Sequence, residues 1–225
     1  MDSSTKQYLK EILDSLKKID YVMPEDIPNI DLYMDQITTF MDSQLETSKR
    51  HEDDKILTKT MINNYAKNDL LPPPVKKKYS KEHVLTLIFI YYFKNILSIS
   101  DIQSILNPIT DKYFGKDAAY SLEDIYKEVF SLEHQESLNI TKDLVKKLNT
   151  SMRTFPDAEG EDAELLRTFS FICMLSFDVY VKKTIIEKMI DYTTKQHDSA
   201  ENNNKKDKSD KKDKSDKNEQ NPSDK

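Results

Sequence analysis

Two glycines in 225 residues leave this chain almost nowhere to enter left-handed backbone conformations without steric cost. Glycine-rich phosphate loops, dinucleotide-binding fingerprints and hairpin-rich all-β folds each need glycine where the chain turns sharply. Helix is the remaining default. A hydrophobic content of 37% suffices at this length for one core with appendages. The expected fold class is therefore all-α with at most a small wing.

Apolar periodicity divides the chain. Tyr8, Leu9, Ile12, Leu16 and Ile19 predict an amphipathic helix from Ser3 to Tyr21, within an N-terminal segment 1–24 closed by Pro24 and Pro28. Met34, Ile37, Phe40, Met41 and Leu45 predict a second helix, followed by a charged connection, Glu46 to Lys55, with the composition of a mobile loop. Thr58 is placed to cap a third helix running to about Lys67, with Met61, Ile62 and Tyr65 facing inward. The run Val84 to Phe93 is apolar on nearly every side and marks Lys81 to Ile96 as the central core helix.

A shorter helix is expected over Ser100 to Leu106. Ser121 and Asp124 form a capping-box pattern opening a helix to about Leu148, with Asn139 as the place where it would break. Glu161 to Gln196 is the longest helical pattern, carrying Leu165, Phe169, Ile172, Leu175, Val179, Ile186, Met189 and Ile190. Residues 111–197 thus read as a helical region. The tail 198–225 repeats KKDKSD with no large apolar side chains to offset its ordering entropy, and is expected to be disordered.

Met1-Asp2-Ser3-Ser4 has no signal-peptide character, and the longest apolar run is far short of a bilayer span. A soluble cytoplasmic protein is expected. Cys173, alone of its kind, lies within the apolar stretch Phe169 to Phe177 and reads as a small buried hydrophobe. His51, His83, His134 and His197 show no metal-ligand pairing, and no nucleophile–base or paired-carboxylate pattern stands out. The expectation is a non-enzyme with no catalytic residues, metal or cofactor, in which His83 caps or packs.

The net charge of −6 argues weakly against a polyanionic partner, but charge acts locally. Residues 58–83 alone carry +4, between acidic flanks. Within them Pro72-Pro73-Pro74 forces an extended path, making Val75 to Tyr79 a stiff, lysine-bearing excursion between helices. The proline run could also serve as a ligand for an aromatic groove.

Tyr65, Leu70-Leu71, Pro73, Lys78-Tyr79, the Val84–Leu87–Ile90 spacing and Leu97-Ser98-Ile99-x-Asp101-Ile102 resemble the winged helix-turn-helix of MerR-type transcription regulators. TKTMINNY followed by LPPPVKKKYS is similar to the uncharacterised bacterial domain-of-unknown-function family eighteen thirty-six. The resemblance implies a winged domain at about 25–110. Helix 58–67 would enter the major groove of double-stranded DNA, with a basic wing, 75–79, on the phosphates. The contact residues it implies are Lys59, Thr60, Asn63, Asn64 and Lys67 on the helix and Lys76, Lys77, Lys78 and Tyr79 on the wing. Tyr65 and Tyr79 are also natural buried anchors.

An asparagine amide can both donate to and accept from adenine, so Asn63 and Asn64 would carry specificity and the lysines would carry affinity. The resemblance further implies a homodimer paired through 161–196. The sequence departs from the MerR pattern in having Asn63 where an arginine is usual, Asp69 where glycine is usual, and a long segment, Glu46 to Leu57, between the two motif helices. These departures and the overall acidity favour the alternative: a helical protein–protein interaction module that kept the winged fold without binding DNA. A small-molecule-gated regulator is a third possibility.

Overall fold

In a computed structural model of the chain, the described residues are Gln7, Lys10, Glu11 and 22–216, with side chains described as far as Gln196 except for residues 133–135 and 137. The elements in order are β1 (Leu32–Tyr33), α1 (Met34–Gln44), a 3₁₀ turn (Glu46–Ser48), α2 (Lys59–Lys67), β2 (Lys78–Tyr79), α3 (Lys81–Lys94), α4 (Ile99–Tyr113), α5 (Leu122–Ser151) and α6 (Gly160–Asp216). The fold is mostly helical with one small two-stranded sheet, as the glycine count implies. Of the expected N-terminal helix only Gln7, Lys10 and Glu11 are described; all three are helical, and Gln7 Nε2 donates to Glu11 Oε1 at 3.0 Å.

α3 is the scaffold. Val84, Leu85, Leu87, Ile88 and Ile90 are fully buried, so this helix has no solvent face over its central turns. Ile37 and Met41 of α1, Ile62 of α2, Ile102 of α4 and Leu122 and Tyr126 of α5 are also buried in this core. An aromatic cluster joins α5 to α3: Phe89, Tyr126 and Phe130 lie with ring centroids 4.1 to 5.5 Å apart. The Tyr126 hydroxyl donates to the Val22 carbonyl at 2.7 Å, satisfying a buried polar atom. Lys81 and Lys127 both pair with Glu123, and Lys127 reaches Glu25.

The start of α3 is a junction built on His83. Ser80 caps the helix; its backbone N–H donates to His83 Nδ1 at 2.9 Å, and its hydroxyl lies 2.8 Å from the same nitrogen. The imidazole stands edge-on to Tyr79 of β2 at 5.4 Å and to Phe114 at 4.7 Å. The reading of His83 as a capping and packing residue therefore describes its position.

Several boundaries differ from expectation. The connection after α1 is anchored: Asp54 accepts from the backbone N–H groups of Arg50 and His51, Ile56 and Leu57 are buried, and Lys94 Nζ donates to the Ile56 carbonyl at 2.7 Å. Helix α4 starts at Ile99 behind a Ser98–Asp101 capping box and continues through Pro108 to Tyr113. The burial of Leu106 and Thr110 on either side of that proline holds the helix together across the lost hydrogen bond. Helix α5 is continuous through Asn139.

The chain divides into two compact units, Met1–Lys182 and Lys183–Lys225, the division falling inside α6. In the first, α5 and α6 form an antiparallel hairpin. Lys147 pairs with Asp143 on its own helix and with Asp178 across, and Arg167 Nε donates to the Thr154 carbonyl at 3.3 Å. Cys173 is exposed, correcting the expectation of burial. The helical phase turns Ala163 and Phe171 inward, leaving Cys173 and Ile172 outside.

In the second unit Ile190 is buried and Lys183 pairs with Glu187 at 3.7 Å. The segment expected to be disordered continues the helical backbone as far as Asp216, and residues 217–225 lie outside the described residues.

Burial holds the His83 imidazole below its ordinary value of 6.5, against the opposing pull of the Pro73 and Pro72 carbonyls. The folded state thus binds fewer protons than the unfolded state just below pH 6.5, so this residue's contribution to stability is complete above that pH and is lost as the pH falls. Denaturant melts between pH 7 and pH 5 should show a steeper loss for the native chain than for His83→Gln, whose amide oxygen can still accept the Ser80 N–H.

Candidate nucleic-acid interface

Helix α2 begins at Thr58, whose hydroxyl accepts from the Met61 N–H at 3.2 Å. Ile62 and Tyr65 turn inward. Lys59, Thr60, Asn63, Asn64 and Lys67 are all exposed, and the last four recur at three- and four-residue spacing along one face. The nine-residue helix spans about 12 Å from its first lysine to its last at the usual rise.

Its C-terminus closes as a Schellman motif. The Leu70 N–H donates to the Tyr65 carbonyl at 2.9 Å, the Asp69 N–H donates to the Ala66 carbonyl at 3.4 Å, and Asp69 has φ +55°. The aspartate thus fills the left-handed position that glycine usually occupies. Leu70 and Leu71 are buried immediately afterwards, so the chain enters the proline run from a fixed point.

The wing is a minimal hairpin. Strands β1 and β2 are antiparallel, pairing Leu32 with Tyr79 and Tyr33 with Lys78. Leu32 and Tyr79 are buried on one face, while Tyr33 and Lys78 share the other. Val75 and Lys78 exchange both backbone hydrogen bonds, at 3.0 and 3.1 Å, around a two-residue tip. That tip is Lys76-Lys77, with φ +51° and +63°, the signs a type I′ turn requires at both central positions. Asparagine and glycine normally take these sites. Two lysines there cost about 1–2 kcal/mol each, and both side chains are exposed.

The structure treats the nine anticipated contact residues unequally. Lys76 and Lys77 stand at the tip, and Thr60, Asn63, Asn64 and Lys67 form the exposed helix face. Lys59 is ion-paired with Asp35 on α1, so part of its charge is already countered. Lys78 is half-exposed, its ammonium 5.2 Å from the centroid of the Tyr33 ring. Tyr79 is buried against His83, and burial raises its phenol pKa, as it does that of Tyr65. Tyr79 therefore belongs to the base of the wing and is removed from the contact set, because β2 alternation turns its ring inward.

Tyr33 and Asp35 were not anticipated. Nothing local marks them: Tyr33 meets Lys78 because β1 and β2 pair across some 45 residues of chain, and Asp35 meets Lys59 where α1 lies beside α2. Separated by one residue at the start of α1, they bring the N-terminal end of α2 and the outer face of the wing to the same part of the molecule. Beside them, an open groove of about 480 Å³ runs along α1, lined by Pro28, Leu32, Asp35, Gln36, Thr39, Phe40 and Ser43.

Residues 22–129 match a family model described as Domain of unknown function (DUF1836). The matched segment contains all of the wing, both helices that flank it and the first turns of α5. No curated protein and no solved structure matches the chain. Among the described residues no helix is long and apolar enough to cross a membrane, and no cluster of three or more His, Cys, Asp or Glu residues could hold a metal ion.

The double substitution Lys76→Asn/Lys77→Gly should raise stability by about 1–2 kcal/mol by relieving the left-handed cost at the tip. Urea unfolding checks this, with the m value unchanged if the turn alone is affected.

Proposed function

We propose that the chain is a sequence-specific DNA-binding protein that regulates transcription, with 58–78 forming a MerR-like recognition helix and basic wing. The supporting observation is the tip of the wing. Two adjacent exposed lysines are held in a turn whose backbone disfavours them, an arrangement whose cost suits a contact function better than a stability function. On this reading Lys76 and Lys77 lie along phosphates, Lys67 adds a contact at the end of α2, and Asn63 and Asn64 face base edges. Tyr33 steadies Lys78, and Asp35 restrains Lys59 until a phosphate displaces it.

The overall charge of −6 and the pairing of Lys59 with Asp35 favour the second reading, an interaction module for protein partners. The apolar groove along α1 would then be the surface in use. Salt dependence separates the two readings, because counterion release accompanies every phosphate contact.

Fluorescence anisotropy with a labelled random duplex should show binding whose log–log salt slope falls in magnitude by about 2 in Lys76→Ala/Lys77→Ala. In Asp35→Asn the slope should grow by about 1, as Lys59 is freed. Absence of binding to duplex at about 50 mM salt, from a variant-free and correctly folded chain, would favour the protein partner.

A further inference from the structure

The groove along α1 has two walls. Asp35, Gln36, Thr39, Phe40 and Ser43 form one face of the helix, running about 12 Å at the usual rise, and Pro28 and Leu32 close the other side. Ile30, between these two in the chain, adds an apolar side chain that is 67% exposed. Asp35 is the one charged residue of the lining; Gln36, Thr39 and Ser43 are polar and neutral. Strand β1 beside it is two residues long, too short an edge for a partner strand to add to. Side chains must therefore fill the groove, as those of an amphipathic helix do.

The chain that builds both walls carries one sign of charge. Residues 22–48 contain Glu25, Asp26, Asp31, Asp35, Asp42 and Glu46 and neither lysine nor arginine. Lysines from outside this segment meet three of these carboxylates: Lys127 meets Glu25, Lys49 meets Asp42 and Lys59 meets Asp35. The Lys59–Asp35 pair is the most open of the three, with side chains 60% and 76% exposed. Its net attraction is therefore weak, and a second cation can compete for the carboxylate. Asp26, Asp31 and Glu46 are exposed. The segment thus offers an occupant carboxylates and no cation of its own, which complements a basic partner.

We propose that the α1 groove receives a basic amphipathic helix of a partner protein, whose apolar side chains pack against Phe40 and Pro28 and whose lysine or arginine takes Asp35 from Lys59. This names the chemistry of the partner in the protein-binding reading and rests on that reading. Lys67, Lys76 and Lys77 do not line the groove, so an occupant leaves the wing tip and the end of α2 uncovered.

The test uses the full chain and a labelled synthetic helix of leucine, alanine and lysine, about 18 residues long so that it can hold its helical form. Fluorescence anisotropy at about 150 mM salt, where attraction between distant exposed charges is screened, should show saturable binding. The same helix with glutamate in place of lysine should not bind. Thr39→Trp, an exposed substitution that fills the groove without changing its charge, should weaken binding about tenfold or more. Asp35→Asn should also weaken it, Lys59→Ala should tighten it by removing the competing cation, and Glu46→Gln, which removes a carboxylate outside the groove, should leave it unchanged. Circular dichroism checks that each variant keeps its helix content. Absence of saturable binding to the native chain, undiminished binding by Thr39→Trp, or weaker binding by Lys59→Ala would overturn the proposal. The duplex titration of the native chain separately decides between the DNA and protein readings, so either can fail without the other.

Discussion

The core of the first unit is arranged around a helix with no solvent face over its central turns. Burial of α3 on all sides supplies the main apolar driving force, but apolar contact is weakly directional and does not by itself fix how neighbouring helices are rotated against it. Polar contacts at its two ends do that. Near the N-terminus, Glu82 accepts from the Gly115 N–H at 2.9 Å, Lys81 pairs with Glu123, and His83 locks the cap. Near the C-terminus, Tyr91 meets the Ser48 hydroxyl, while Lys94 donates to the Ile56 carbonyl and lies over the Tyr91 ring. Burial pushes the Lys94 pKa down, so its hydrogen bond to Ile56 is made at an electrostatic cost.

Scarcity of glycine has a visible structural consequence. Among the described residues, besides Gly115 and Gly160, Asp69, Lys76, Lys77 and Phe155 take positive φ. Each marks a sharp reversal, at the end of α2, at the tip of the wing or in the turn between α5 and α6. Asp69 is tolerated because a short polar side chain suits the left-handed region. The two lysines have no such excuse, and the fold holds them there through the Val75–Lys78 hydrogen bonds and the paired strands behind them. Strain of this kind is concentrated where the wing is most exposed.

Electrostatics divides the surface in a way that net charge conceals. The basic segment is not uniformly free: Lys59 is countered by Asp35 and Lys78 rests on an aromatic ring, leaving Lys67, Lys76 and Lys77 as the most accessible positive charges of the set. Two adjacent exposed lysines stand at the wing tip, while Lys67 at the end of α2 is followed by the exposed Asp69.

The local code was legible wherever a residue's role depends on neighbours within one or two turns. Thr58 and Ser121, the caps that the sequence marks, both precede helices, and Ser121 forms a capping box with Asp124, whereas the Ser98–Asp101 box starts α4 ahead of the expected Ser100. The all-round apolar run of α3 identified the core helix for the same reason. Composition misjudged Cys173, because an apolar stretch on a helix says nothing about which of its faces finds a partner. The pairings of Tyr33 with Lys78 and Asp35 with Lys59 had no sequence signal, since strand register sets the first and helix–helix packing the second, each between positions far apart in the chain. Sequence by itself determined that the chain is helical, where its helices begin, and that a stiff lysine excursion interrupts them; each follows from short-range sterics and periodicity. Only the tertiary structure decided which lysines stay free, that Tyr79 turns inward, and that an open groove runs along α1, because these depend on what each side chain meets across the fold.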